Sequence, residues 1–313
     1  MNTTKKIVFT LIAVIMLLGA SSCAAQEQET KDAAITITDA YGEEITLDGP
    51  AQAIISTYSA ITENLFALGA GDQVIGIGTA EAYPPEALEL PSYSYSKDDV
   101  EKFIAANPDV IFFREAVATK YEDLVSELEG AGIKVIALQN TDFDNYVTTI
   151  AKVVGKEDTA QDMLEDFHAQ MDALKARADK IPEEERVGVF FESRAKEYNT
   201  ASQSSIAYNG LELINVVNVA KENMEKDTTS SIADFGEEYL LAEADNIDVY
   251  IAQLGVMNKE VSIESIKSRP GFDVIKAIKD DRIFIVDEKL ISSLTFRQIE
   301  GLTQVFEYVY PEY

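Results

Sequence analysis

The stretch from Lys156 to Ile181 contains neither glycine nor proline, and Pro182 follows it at once. Its apolar residues Met163, Phe167, Met171, Leu174, Ala178 and Ile181 are spaced 4, 4, 3, 4 and 3, which puts them on one helical face. At 1.5 Å per residue, such a run makes a rod of about 39 Å. A rod of this length exceeds what one small lobe needs and suits a strut between two. His168, the only histidine, lies in it beside Phe167 and reads as a surface helical residue.

On both sides of the rod, β-branched runs alternate with amphipathic stretches. A hairpin over AITITDA, a turn at Tyr41-Gly42-Glu43 and EITL comes first. Strands are then expected at 53–58, 74–78, 109–113 and 133–138, with helices over 60–69, 98–106 and 118–131. After the rod, strands are expected at 186–193, 247–253 and 282–288, with helices over 205–217, 236–244 and 295–308. This alternation predicts an α/β fold of two lobes, each with a mainly parallel sheet flanked by helices. The lobes are expected at 34–155 and 182–313, with 156–181 joining them. NPDVIFF (107–113) and NIDVYIA (246–252) share N-x-D-V before an apolar run, an echo that fits two related lobes.

Residues 1–22 read as an export signal rather than as part of the fold. Lys5 and Lys6 precede an apolar run from Ile7 to Ala20, too short to span a bilayer of about 30 Å. The only cysteine, Cys23, closes this pattern, and a lone thiol has no internal disulfide partner. Ala20-Ser21-Ser22-Cys23 resembles the bacterial lipobox, with alanine where leucine is more usual. That resemblance implies cleavage before Cys23, a lipid on its thiol and an extracytoplasmic location at the cell membrane; an ordinary secretory signal is the alternative. Residues 23–33 are polar and aperiodic and read as a tether.

The formal charge is −29, and removing Lys5 and Lys6 with the signal takes it to −31. Such a chain repels nucleic acid and anionic headgroups, so its contact with the membrane is expected through the anchor alone. Catalytic constellations find little support. One histidine and one lipid-committed cysteine do not assemble a His-assisted nucleophile, and neither phosphate-loop nor dinucleotide fingerprint is present. No enzymatic activity, cofactor or metal site is expected.

Ligands of open parallel sheets bind beyond the carboxyl ends of the strands. Those tips carry Tyr58-Ser59, Thr79 to Tyr83, Arg114-Glu115 and Gln139-Asn140 in the first lobe. In the second they carry Glu192 to Arg194, Gln253 and Glu288 to Leu290. Tyrosine faces suit broad ligands, and Arg114 and Arg194 offer guanidinium forks for anionic oxygens.

ITITDAYGEEITLDGPAQAIIS, TENLFALGAGDQVIGIG, YPPEA and VEKFIAANPDVIFF resemble the first lobe of bacterial binding proteins for ferric siderophores and cobalamin. RPGFDVIKAIKDDRIFIVDEKLISS, with Arg297 and the GL at 301–302, resembles their second lobe. The resemblance implies two lobes on one long helix, little movement between open and closed forms, and an ABC importer with a permease dimer and a cytoplasmic ATPase. It also implies a docking glutamate on each lobe: Glu101 in the first, and Glu238, with Glu237 as substitute, in the second. Two places depart from the family. Tyr58-Ser59-Ala60 stands where serine-proline is usual, and Ser292-Ser293-Leu294 replaces S-R-P, leaving Arg297 as the nearby cation. The leading expectation is capture of a ferric siderophore by a monomer, with Tyr58, Ser59, Tyr83, Arg114, Arg194, Gln253 and Arg297 lining the cleft. Cobalamin or haem is the alternative ligand, and an exported sensory or scaffold protein the alternative role.

Overall fold

The structure, a computed structural model, describes residues 34–313 except 82, 140, 141, 196 and 227–229. The expected signal, Cys23, the tether and Asn140 lie outside the described residues. Strands are β1 (Ile35–Thr38), β2 (Glu44–Leu47), β3 (Ile54–Ser56), β4 (Val74–Ile77), β5 (Val110–Arg114) and β6 (Lys134–Leu138), then β7 (Gly188–Glu192), β8 (Thr200–Ala201), β9 (Val217–Asn218), β10 (Ile232–Ala233), β11 (Val249–Leu254) and β12 (Ile283–Asp287). Helices are α1 (Ser59–Ala67), α2 (Val100–Ala105), α3 (Glu115–Lys120), α4 (Glu122–Gly130), α5 (Phe143–Val154) and α6 (Glu157–Ala178), then α7 (Ile206–Leu213), α8 (Glu237–Ala242), α9 (Ile263–Lys267), α10 (Lys276–Lys279), α11 (Glu288–Ile291) and α12 (Gln298–Val309).

Two parallel four-stranded sheets form the lobes, in the orders β4-β3-β5-β6 and β12-β11-β7-β9. Counted by position within each lobe, both orders are second, first, third, fourth. The repeated N-x-D-V motif begins the third strand in each. Its aspartate has the same work twice: Asp109 Oδ2 accepts from the amides of Gln52 and Ala53 at 2.7 and 2.9 Å, and Asp248 Oδ2 accepts from Gly188 at 2.8 Å. Each carboxylate thus holds the entry to the neighbouring first strand, whose amides would otherwise lack a ladder partner.

The rod is present as α6. It runs over 22 residues, about 33 Å, because the turn at Asp179 and Lys180 ends it before Ile181. Ala160 and Leu164 near its start lie in the first lobe's core, whereas Leu174 and Ala178 near its end lie in the second's. Between them Phe167 meets Phe143 and Phe296 at centroid distances of 4.7 and 6.1 Å. One helical face therefore belongs to two cores in turn. His168, on the outer face, contacts Asp144 of α5 at 2.9 Å.

Three local expectations are corrected. Helix α5 lies where none is expected: Asp142 caps it by accepting from Asn145 N–H, and Gly155 ends it at φ 68°. Its valines, threonines and isoleucine favour strands locally, but seven of its twelve residues are buried, so packing decides. The expected helix over 118–131 is two helices meeting at Tyr121, whose φ −117° and ψ 43° are not helical. The helix expected over 205–217 stops at Leu213, and Val217–Asn218 pairs with β7 as the sheet edge.

The lobes also interlock away from the rod. After α11, residues 293–297 cross to the first lobe. Leu294 is buried in that lobe's core, and its carbonyl accepts from Asn64 Nδ2 at 2.8 Å.

Candidate functional site

The carboxyl ends of the two sheets meet. Ser59, which follows β3, accepts a hydrogen bond from Lys289 Nζ at 2.5 Å; Lys289 follows β12. Tyr58 caps α1, with the Arg114 guanidinium 5.7 Å from its ring centroid. Burial pushes the Tyr58 phenol above its usual pKa; the nearby Arg114 charge opposes the shift. Arg114 is the last residue of β5, the strand beside β3, so the parallel register brings the two tips together.

Arg297 sits at the same junction. It stacks on Tyr83 at 3.9 Å and lies 3.4 Å from Glu63 Oε2 and 3.5 Å from Glu300 Oε2. Glu63 is 5% exposed, and burial raises its pKa against the pull of Arg297. Glu81, on the loop after β4, has both carboxyl oxygens buried, beside the Thr62 hydroxyl and the Gly78 backbone. Burial pushes its pKa up to about 7, with Lys289 opposing. Two buried acids of the first lobe thus face two cations carried in by the second.

Tyr58, Ser59, Tyr83, Arg114 and Arg297 are therefore brought to one region. Gln253 is placed differently: it is fully buried, donating from Nε2 to the Ser193 carbonyl at 3.0 Å and accepting from Ser292 Oγ at 2.6 Å. Strand β11 runs one residue beyond the expected tip, and Leu254 is exposed there with Val256 nearby, at 41% and 49%. Arg194 is partly exposed on the turn after β7, where its carbonyl accepts from Asn199 N–H at 3.1 Å. No contact joins it to Arg114 among the described residues.

Glu63, Glu81 and Lys289 lie in this candidate site and are residues that sequence reasoning did not single out. Lys289 stands within the strand-tip stretch 288–290, which is the signal that could have found it. Glu101 is exposed in the first turn of α2, and Glu237 and Glu238 in that of α8. Both helices lead into the third strand of their lobe, so their amino ends lie on the strand-tip side.

Among the described residues no group of three or more His, Cys, Asp or Glu could hold a metal ion. No described helix is long and apolar enough to cross a membrane.

Comparison with known proteins agrees with this geometry. The family model for periplasmic binding proteins matches residues 54–290. The chain is 26% identical over 312 residues to the uncharacterized ABC transporter substrate-binding lipoprotein YvrC of Bacillus subtilis, covering 96% of this chain and 95% of that protein. It is 29% identical over 153 residues to the vitamin B12-binding protein of Vibrio campbellii, covering 48% of this chain and 54% of that one. A possible iron-binding, periplasmic solute-binding protein from Staphylococcus epidermidis superposes with a TM-score of 0.68 at 25% identity, covering 83% of this chain and 99% of that one. Interlocked α/β lobes, strand tips that meet, and a family match across most of the chain lead to one conclusion: the chain belongs to the periplasmic binding protein family, whose members bind solutes outside the cytoplasm and are not enzymes.

Proposed function

We propose that this protein captures a metal chelate between its lobes for an ABC importer, and that the chelate is a corrinoid of the cobalamin class rather than the ferric siderophore first expected. The observation that carries the reading is the division of labour at the cleft. Leu254 and Val256 stand exposed at the end of β11, while Arg297, Lys289 and Arg114 at the junction of the lobes are already engaged. Arg297 is held by Glu63, Glu300 and the Tyr83 ring, Lys289 by Ser59, and Arg114 lies over Tyr58. A broad macrocycle with neutral amide arms uses apolar walls and tyrosine faces. A ferric siderophore of high negative charge would need guanidinium forks left open to it. The relative named as vitamin B12-binding adds support.

Titration calorimetry with cyanocobalamin, haemin and a ferric catecholate tests this. Cyanocobalamin is expected to bind at micromolar Kd or tighter, about −8 kcal/mol. Leu254→Asp should weaken it on the order of tenfold, and Arg114→Ala should matter little. Tighter binding of the ferric catecholate, lost in Arg114→Ala, would return the assignment to an anionic chelate. Failure of all three below about 1 mM would reject the chelate reading.

Delivery rests on exposed carboxylates at matching places in the two lobes, Glu101 and Glu238, with Glu237 beside the second. Spaced charges of this kind steer docking and set its orientation. Cys23 supplies the lipid anchor that keeps the protein at the membrane beside its permease.

A further inference from the structure

Glu192 ends β7 and is fully buried, yet it carries a charge-assisted network. Its Oε1 accepts from Asn258 Nδ2 at 2.9 Å and from Arg269 Nη2 at 3.1 Å. Its Oε2 accepts from the Tyr250 hydroxyl at 2.5 Å and from Arg269 Nη1. Asn258 in turn accepts, through Oδ1, from the Ala195 amide at 3.3 Å. The neighbouring Met257 amide donates to Glu288 Oε2 at 3.1 Å. One carboxylate thus ties the segment that follows β7, at Ala195, to the segment that follows β11, at Asn258. These carry Arg194 and Val256, and the second starts directly after Leu254.

A buried ion pair is a weak source of net stability, because desolvation of both partners offsets most of their attraction. Apolar residues of similar volume would fill the same space about as well. What they could not do is fix Asn258, and through it Ala195, by directional hydrogen bonds. We infer that the Glu192–Arg269 pair is a positioning element for the ligand site: acting through Asn258, it sets how the two second-lobe cleft segments present their side chains to the bound solute. This rests on the solute-binding reading and adds to it the residues that set the pocket's shape from behind.

The test compares wild type with the apolar double variant Glu192→Met, Arg269→Leu and with Asn258→Ala. Amide exchange of peptides covering 193–199 and 255–261 is measured in the ligand-free protein, and cyanocobalamin affinity is measured beside it. The double variant is expected to remain folded with a lowered melting temperature, because the buried Tyr250 hydroxyl and Asn258 amide lose their acceptor. Exchange in both segments should accelerate, and affinity fall, each on the order of tenfold. Unchanged exchange in a folded double variant overturns the inference, and so does faster exchange with unchanged affinity. If the double variant does not fold, Asn258→Ala decides by the same two readouts, since it leaves the ion pair in place. If wild type does not bind cyanocobalamin, the corrinoid reading fails alone, and the exchange comparison still decides the positioning role.

Discussion

Glu81 carries its charge only at a cost, because its carboxyl oxygens are sealed from water and Lys289 compensates in part. Its pKa moves from an ordinary 4.5 to about 7 in the folded protein. The native state therefore holds a proton that the unfolded chain releases within this window. The stabilising effect is complete below pH 4.5 and is lost as pH rises through 7. Glu81→Gln should flatten this dependence and, at pH 8, exceed wild type by on the order of 2 kcal/mol. Denaturant titrations at pH 5 and pH 8 measure it; equal slopes for both proteins would contradict it. Glu81 stands within the strand-tip stretch 79–83, but the burial of such acids is not legible in a sequence, because it depends on residues 289 and 297, more than two hundred positions away. Tyr58, Ser59 and Arg114 were legible, since strand tips can be counted from β-branched runs. Gln253 shows the limit of that counting. Strand β11 is covered on both faces, so Val249 to Gln253 are all buried, and the extra strand residue leaves Gln253 inside the covered part with Leu254 at the exposed end.

Among elements, α6 was the most legible, because its apolar spacing is helical throughout and nothing in it breaks a helix. Helix α5 was the least legible: Asp142 and Gly155 mark its ends, but the β-branched residues between them argue locally for a strand. The two helices then pack together through Phe143 and Phe167. A proline within the rod tests how far it couples the lobes. Ala169 is exposed, so Ala169→Pro removes little packing but breaks the helical hydrogen-bond ladder at mid-length. A loss of about 3 kcal/mol or more is expected, and scanning calorimetry should resolve two unfolding events where wild type gives one. A single transition at the wild-type midpoint would show that the rod is not what joins the lobes energetically.

The whole molecule has two lobes with the same strand order, and the short N-x-D-V echo was the visible trace of it. The motif repeats because the aspartate has a backbone task in both lobes, at Gln52 and Ala53 in one and Gly188 in the other. Lobe-to-lobe fit was not legible, since the bonds from Lys289 to Ser59 and from Asn64 to Leu294 join places that no local pattern relates. Docking belongs to this scale as well. Glu101→Ala with Glu238→Ala should abolish most uptake in cells that depend on this protein while leaving ligand affinity unchanged. Cys23→Ala should also reduce uptake, but by releasing the protein from the membrane. Cell fractionation alongside an uptake assay separates the two outcomes, and normal uptake in the double glutamate variant would remove the docking role.

Leu294 and Phe296 reach the first lobe from beyond the last strand of the second and fill the wall that α1 and the rod leave open. A chain secreted amino end first therefore emerges with its first lobe incomplete until the strands of the second lobe have crossed as well. Cargo capture is tied to the crossing of both lobes, since the first is not finished before the segment that follows the second has arrived.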